Sequence, residues 1–366
     1  MNSESFVQKL FSDYYRAHPL TPNSLEKREF GFGGFEKKIE ARHVWFKSSD
    51  ELQKFLILNT PFYLSYSAAY YEFPDARPMP RKNWLGADLI FDLDAEAHEC
   101  GKFTCISCFE GIKAQTVKLI EEFLMPDFGI SRSDMSVNFS GNRGYHVHIR
   151  NDAVMGLLRE ERREVVDYIT GTGLDFTSFF KSDENKRISG PIPTDGGYYG
   201  KLARETIRQL EGGKGEIVEI LGKKFAKPEI ARKMIDGIRT GNWDVVKITD
   251  KEKRFGEVLK TLSVKLSDQV DANVTADTSK IIRVPNSIHG GSGLCAIDMK
   301  KDITDFNPFN DAVILPEGGV KMKITEPVPS IEMKNQTFGP FAKDATVSVP
   351  AYFAAYLICK RAAALF

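Results

Sequence analysis

The sequence predicts an α+β protein whose core domain is discontinuous along the chain. Strand-like alternation of apolar and polar residues occurs near both ends, whereas the long stretch between them mixes charged and apolar residues at the helical period. The chain has 366 residues, which exceeds the usual size of one hydrophobic core. We therefore expect a core formed by residues 1–150 and 260–366, interrupted by an all-helical insertion over residues 151–259.

The individual elements follow from residue periodicity. Apolar residues recur every three or four positions in four segments, which predicts helices over residues 5–15, 49–58, 116–124 and 350–361. Period-two alternation or β-branched runs bounded by turn residues predict strands at 28–32, 41–46, 85–94, 280–284 and 321–324, and a pair of strands within 136–149.

Composition restricts the class of protein. Formal net charge is zero, because 50 Lys and Arg balance 50 Asp and Glu, and generic nucleic-acid binders usually carry a basic excess. Either the protein binds no nucleic acid, or it relies on a local basic groove or a partner subunit. The chain shows neither a signal peptide nor an apolar run of membrane-spanning length, so we expect a cytoplasmic protein without membrane contact.

A pair of carboxylates stands at the end of the predicted strand 85–94. Side chains alternate between the two faces of a strand, so Leu89, Phe91 and Leu93 can enter the core while Asp92 and Asp94 share the other face. Two such carboxylates repel each other unless a cation or proton joins them, and Mg²⁺ prefers oxygen ligands of this type. The alternative is a strand end with a solvated acidic face.

Two later segments carry residues suited to phosphates. In the first, a strand breaks at Gly141, exposes Arg143 and resumes at His146; an ordinary hairpin turn is the alternative. In the second, a carboxylate at Asp271 or Asp277 precedes a predicted strand that carries Arg283, and a Gly-rich loop with His289 follows. The alternative is a solvated loop between strands.

Residues 96–110 predict a small zinc knuckle. His98, Cys100, Cys105 and Cys108 offer three thiolates and one imidazole, a ligand set typical of closed, structural zinc sites. The third cysteine disfavours a redox Cys-x₂-Cys pair. His98 is the least constrained ligand, since it could equally be a surface histidine.

In chain order, the segments around Asp92, Ser140 and Arg283 resemble the three catalytic motifs of the catalytic small subunit of archaeal and eukaryotic DNA primases. The resemblance implies a mixed-sheet catalytic core, a zinc site and two catalytic Mg²⁺ or Mn²⁺ ions. It implies metal binding by three carboxylates, Asp92, Asp94 and Asp271, with Asp277 as the alternative third. It also implies nucleotide contacts by five residues: Ser140, Arg143, His146, Arg283 and His289.

The activity implied by the resemblance is nucleotidyl transfer in DNA replication. Such an enzyme synthesises short RNA primers de novo on single-stranded DNA from NTPs, with dNTPs as a second candidate substrate. It acts in a primosome as a heterodimer with a large regulatory subunit, close to the nucleoid of an archaeal-type cell. Three alternatives remain: a repair-type primase-polymerase that extends existing ends, an inactive zinc-bearing nucleic-acid-binding subunit, and a phosphohydrolase that uses the same acidic strand.

Overall fold

The computed structural model describes residues 2–95, 101–213, 216–267, 272–299 and 302–366. The chain divides into two compact units. The first contains Met1–Val117, Ser131–Arg163 and Asp271–Phe366, and the second contains Lys118–Ile130 and Glu164–Val270. The second unit thus includes most of the predicted insertion together with a short segment that lies before it in the chain.

Helices occur in both units. Their bounds are α1 Ser3–Ala17, α2 Ser49–Asn59, α3 Ile106–Lys118, α4 Asp152–Met155, α5 Arg159–Thr170, α6 Gly197–Gly212, α7 Glu216–Leu221, α8 Pro228–Arg239, α9 Lys251–Ser267, α10 Ala272–Ala276, α11 Pro308–Asp311 and α12 Ala351–Cys359. A π-helical turn, Leu119–Leu124, follows α3 directly. In the described ranges, none of the helices combines the length and the apolar character that a membrane span requires.

The strands are short. They are β1 Phe30–Gly33, β2 Ala41–Val44, β3 Tyr63–Ser67, β4 Ala69–Tyr71, β5 Trp84–Ala87, β6 Leu89–Asp94, β7 Met135–Phe139, β8 Gly144–Ile149, β9 Lys181–Ser182, β10 Ile188–Ser189, β11 Ile281–Arg283, β12 Asp298–Met299, β13 Gly319–Ile324, β14 Ile331–Met333, β15 Gln336–Phe338, β16 Thr346–Pro350 and β17 Ala363–Leu365.

Two four-stranded sheets form the centre of the first unit, in the orders β11-β3-β1-β2 and β12-β7-β8-β6. A three-stranded sheet, β16-β13-β17, and the pairs β4-β5 and β14-β15 complete its strands. The α+β class is confirmed. The prediction of a mixed sheet is wrong for the described residues, because every pairing between their strands is antiparallel.

Three predicted elements differ from the structure. The single strand expected over 85–94 is two strands, which pair with different partners on either side of Asp88. The helix expected at 116–124 begins earlier, at Ile106. The predicted insertion is not all-helical, since β9 and β10 form a hairpin in which the Asp183 carboxylate accepts hydrogen bonds from the backbone N–H groups of Asn185 and Arg187.

Asp88 explains the break between β5 and β6. Its side chain is fully buried and pairs with the equally buried Arg28 at 2.9 Å, while Tyr70 and Arg150 also donate to the carboxylate. Arg162 donates to the backbone carbonyl of Asp88 at 2.8 Å. Burial alone would raise the pKa of Asp88, but the neighbouring positive charges, Arg28 first, lower it well below its usual range. This network fixes the start of β6.

We predict that Asp88→Ala destabilises the protein by about 3–5 kcal/mol, because Arg28 would be left as a buried charge without its counter-ion. Because folding lowers the pKa of Asp88, its stabilising effect is complete above about pH 4 and declines as the pH falls below that value. Urea unfolding at several pH values measures both effects. The exposed Asp13→Ala serves as control, and equal stabilities of the two variants at neutral pH would contradict the prediction.

Candidate active site

The two central sheets of the first unit enclose a cavity of about 600 Å³. Asp92, Asp94 and His146 reach it from β6 and β8, and Ser65 and Arg283 reach it from β3 and β11. Seven of the residues predicted from the sequence line this one cavity: Asp92, Asp94, Ser140, Arg143, His146, Arg283 and His289. We call it the central cavity. Its volume is in the usual range for small-molecule sites.

The carboxylates are positioned by the pairing of β6 with β8. Asp92 lies opposite His146, with 3.4 Å between its Oδ1 and the histidine Nε2, and Asp94 lies opposite Gly144. Leu93 and Phe91 on the other face are buried, as the alternation predicts. Although the Asp94 side chain reaches solvent, desolvation and then the charge of Asp92 raise its pKa. A bound cation would relieve this repulsion.

The turn between β7 and β8 holds Ser140 and Arg143. The Ser140 hydroxyl accepts hydrogen bonds from the backbone N–H groups of Asn142 and Gly144, which leaves its own hydrogen available as a donor. Gly141 has φ +80°, and a Cβ there would lie 2.8 Å from the Cβ of His289. Glycine therefore permits both the backbone conformation and the close approach of the two segments.

Arg283 and His289 come from the third segment. The Arg283 guanidinium lies over the Tyr63 ring, 5.2 Å from its centroid, and the His289 ring packs edge-on against the same ring at 5.4 Å. His289 Nδ1 accepts the backbone N–H of Gly291 at 3.0 Å, so the neutral ring carries its hydrogen on Nε2. The Ser292 hydroxyl donates to the carbonyl of Gly141 and ties this loop to the preceding turn.

The two arginines and the two histidines differ in charge. Burial lowers the pKa of Arg283 only to about 10, so it stays cationic at neutral pH. Burial lowers the pKa of His146 to about 4, against the opposing effect of Asp94, and it lowers that of His289 well below its usual value. At neutral pH both histidines are therefore uncharged, and only the arginines of this set contribute positive charge.

Two residues are candidates for the third carboxylate. Asp271 lies outside the described residues. Asp277 lines the central cavity, and its Oδ1 accepts hydrogen bonds from the backbone N–H and hydroxyl of Ser279 at 2.9 and 2.7 Å. Among the described residues, no three His, Cys, Asp or Glu side chains surround a common point as a ready metal site.

Half of the predicted zinc knuckle can be described. Cys105 and Cys108 are not joined by a disulfide, and their sulfur atoms lie 2.9 Å apart at the start of α3. The two thiols are neighbours, as ligands of one ion would be, but a tetrahedral zinc ion with Zn–S bonds of about 2.3 Å would hold the sulfur atoms about 3.8 Å apart. Zinc binding would therefore separate them from the positions seen here. His98 and Cys100 lie outside the described residues, so the complete ligand set stays a prediction.

Several cavity residues were not predicted as site residues. Lys38, Arg42, Ser65, Asn142 and Lys280 also line the central cavity. Asn142 stands inside the second motif and was within reach of sequence reasoning. The others come from the β1–β2 connection, from β2 and β3 and from the approach to β11, and nothing in the local pattern distinguishes them from surface residues.

Asn138 adds a buried amide beside the site. It lies opposite His146 on β7 and is 2% exposed. Within the described ranges, neither its amide nitrogen nor its oxygen has a hydrogen-bond partner. Buried amides without a partner are rare in proteins, and a water molecule or a ligand would complete the hydrogen bonding of this one.

Comparison with known proteins shows the family to which this chain is similar. A family model described as "DNA primase small subunit" matches residues 91–300, which contain all three motifs. Proteins named "DNA primase small subunit PriS" from Methanococcoides burtonii and Methanocella arvoryzae are each 33% identical to the chain, over 99% of it and 98% of their own length. The relative from Thermoplasma volcanium is 33% identical over 97% of the chain and 96% of its own length.

The chain belongs to the DNA primase small subunit family. It is accordingly an enzyme of the nucleotidyltransferase class, and the phosphohydrolase and inactive-subunit alternatives are set aside.

We predict that Gly144→Ala abolishes most nucleotide incorporation, because the new Cβ would overlap the Leu93 carbonyl oxygen and the Asp94 carboxylate, forcing β8 away from β6. Overpacking of this kind costs about 1–3 kcal/mol of stability. Gly156→Ala is the matched control, since its Cβ would meet no atom within 4 Å. Incorporation assays and thermal unfolding compare the two variants, and equal activity would contradict the close approach of the strands.

Proposed function

We propose that this chain is the catalytic subunit of a DNA primase that synthesises short RNA primers de novo on single-stranded DNA. One observation carries the proposal: residues from three distant chain segments put two carboxylates, two arginines and two histidines around a single cavity. Carboxylates suit divalent metals, and arginines suit triphosphates. The arrangement therefore offers both halves of a nucleotidyl-transfer site.

The carboxylate residues fit a pair of Mg²⁺ or Mn²⁺ ions. Asp92 and Asp94 face the cavity from one strand, and the charge of Asp92 contributes to the raised pKa of Asp94. A bound cation would reduce this repulsion between the two carboxylates. Asp271 is our first choice as the third ligand, and Asp277, which lines the cavity, is the alternative. When bound, the ions would activate a 3′-hydroxyl and stabilise the charge on the departing pyrophosphate.

We define the phosphate side of the cavity as Ser140, Arg143, Arg283 and His289. The Nε atoms of Arg143 and Arg283 are buried and, among the described residues, have no hydrogen-bond partner. A phosphate oxygen would satisfy them, because guanidinium donors match phosphate geometry. His289 and Ser140 would add neutral N–H and O–H donors. We expect His146, beside Asp92, to contact the nucleotide between the two sides.

We further propose that the enzyme acts together with a larger partner subunit. The chain has no net charge, so the basic residues of the cavity alone would hold a DNA template weakly. A large regulatory subunit that adds DNA-binding surface would compensate for this. We propose that the heterodimer works on the nucleoid of an archaeal-type cell, with dNTPs as second substrates.

The proposed function is tested with labelled nucleotides on a single-stranded template, without primer, with Mg²⁺ or Mn²⁺. We predict that Asp92→Asn lowers primer synthesis by about 10³-fold, because metal-assisted charge stabilisation is worth several kcal/mol. The exposed Glu332→Gln is the matched control. Substantial primer synthesis by folded Asp92→Asn would overturn the two-metal assignment. Extension of added primers without de novo synthesis by the wild type would favour the repair-type alternative.

We also propose that Cys105 and Cys108 bind a structural zinc ion together with Cys100 and His98. The prediction is that Cys105→Ser loses bound zinc, measured by elemental analysis, and unfolds at a lower temperature, because structural zinc contributes directly to folding. Cys295→Ala, which alters a cysteine outside the cluster, should retain the metal. If purified wild-type protein contains no zinc, the zinc assignment is wrong.

A further inference from the structure

Lys360 is a buried lysine at the C-terminal end of α12. It is the C-cap of that helix, whose nine residues Ala351–Cys359 are all buried, and it is itself only 8% exposed. Lysine is almost never buried to this extent without a charged partner, because removing an ammonium group from water is costly. The contacts of its amine therefore indicate what the group does.

Lys360 contacts neutral groups, and the charged side chains that act on it most are positive. Its Nζ donates to the Asn142 side-chain oxygen at 3.0 Å and lies 5.6 Å from the centroid of the Tyr356 ring. In the part of the chain that the structure describes, no carboxylate forms an ion pair with it. Burial, together with the positive charges of Arg143 and Lys102 and against the opposing effect of Cys359, lowers its pKa to about 8.

The position of Lys360 relates it to the phosphate side of the central cavity. Asn142, which accepts its hydrogen bond, lines the cavity between Ser140 and Arg143. The charge of Lys360 also acts on His289, where it lowers the histidine pKa after desolvation and Arg283. The ammonium group thus lies near residues from both the second and the third motif.

A cluster of positive charges around a buried amine is unfavourable unless an anion balances it. Surface carboxylates are abundant in this sequence, but the described structure brings none of them to Lys360. The anion that fits the surroundings is the polyphosphate of a nucleotide bound against Arg143 and His289. A phosphate group would raise the pKa of Lys360 again and favour its charged form.

We propose that Lys360 is a nucleotide-positioning residue: it holds the β7–β8 turn through Asn142 and adds a buried positive charge behind the phosphate side. This inference rests on the proposed function of the central cavity. It predicts that Lys360 contributes to binding of the triphosphate in particular, since its charge lies with the phosphate-binding residues. A purely structural role would affect stability without distinguishing among nucleotides.

The test compares Mg²⁺-ATP and Mg²⁺-AMP binding to the full chain by calorimetry. We predict that Lys360→Met weakens ATP binding about 10-fold, as expected for the loss of a charge-assisted contact. The affinity for AMP should change less than about twofold, because AMP lacks the β- and γ-phosphates, whereas a tenfold change corresponds to about 1.4 kcal/mol of binding free energy. Lys360→Arg should restore most of the ATP affinity. Lys321→Met, which alters an exposed lysine of β13, should bind both nucleotides as the wild type does.

Steady-state primer synthesis supplies a second readout. Loss of Lys360 should raise KM for the nucleotide more than it lowers kcat, because the residue does not touch the reacting atoms. Asn142→Ala, which removes the acceptor but keeps the charge, should have a smaller effect on ATP affinity than Lys360→Met. If Lys360→Met is less stable than the wild type, Lys360→Gln and Lys360→Arg provide the same neutral-against-charged comparison.

Unchanged ATP affinity in Lys360→Met, or an equal loss for AMP, overturns the inference. The same holds if Lys360→Arg binds ATP no better than the neutral variants. In these cases wild-type primer synthesis would leave the proposed function standing. A wild-type chain that neither binds ATP nor incorporates nucleotides removes the proposed function and this inference together.

Discussion

The pairing of β6 with β8 is the constraint on which the site depends. It runs from Leu89 opposite Ile149 to Asp94 opposite Gly144 without a shift in register. A slip of one residue would turn Asp92 and Asp94 toward the core and bring Leu93 to the cavity, because side chains alternate along a strand. The buried apolar face therefore fixes the carboxylates, and Gly144 lets the strands meet where a side chain would not fit.

Different interactions stabilise the two ends of this strand pair. At the start of β6, the ion pair of Asp88 with Arg28 anchors the backbone inside the protein. At the other end, the turn before Gly144 is closed by the Ser140 hydroxyl and joined to the third segment by Ser292. Residues far apart in sequence thereby keep one geometry, and preorganised donors require little rearrangement when a charged ligand arrives.

Charge is distributed unevenly although the chain as a whole is neutral. Among the described residues that line the cavity, the acidic ones are Asp92, Asp94 and Asp277, and the basic ones are Lys38, Arg42, Arg143, Lys280 and Arg283. Carboxylates neutralised by metal ions would leave a positive surface for a polyanion, so a neutral sequence is compatible with a local basic site. The histidines are buried and uncharged, and their proposed part is to donate hydrogen bonds.

The sequence by itself determined the α+β class, the face on which Asp92 and Asp94 stand, and the family motifs, because these follow from local alternation and from the order of short segments. It did not predict the break at Asp88, since the partner that buries this carboxylate, Arg28, is 60 positions away. It also missed Lys38, Lys280 and Lys360, whose roles depend on which chain segments meet. Tertiary structure alone decided these features, because burial and electrostatic environment are properties of the assembled fold and are invisible in a local pattern.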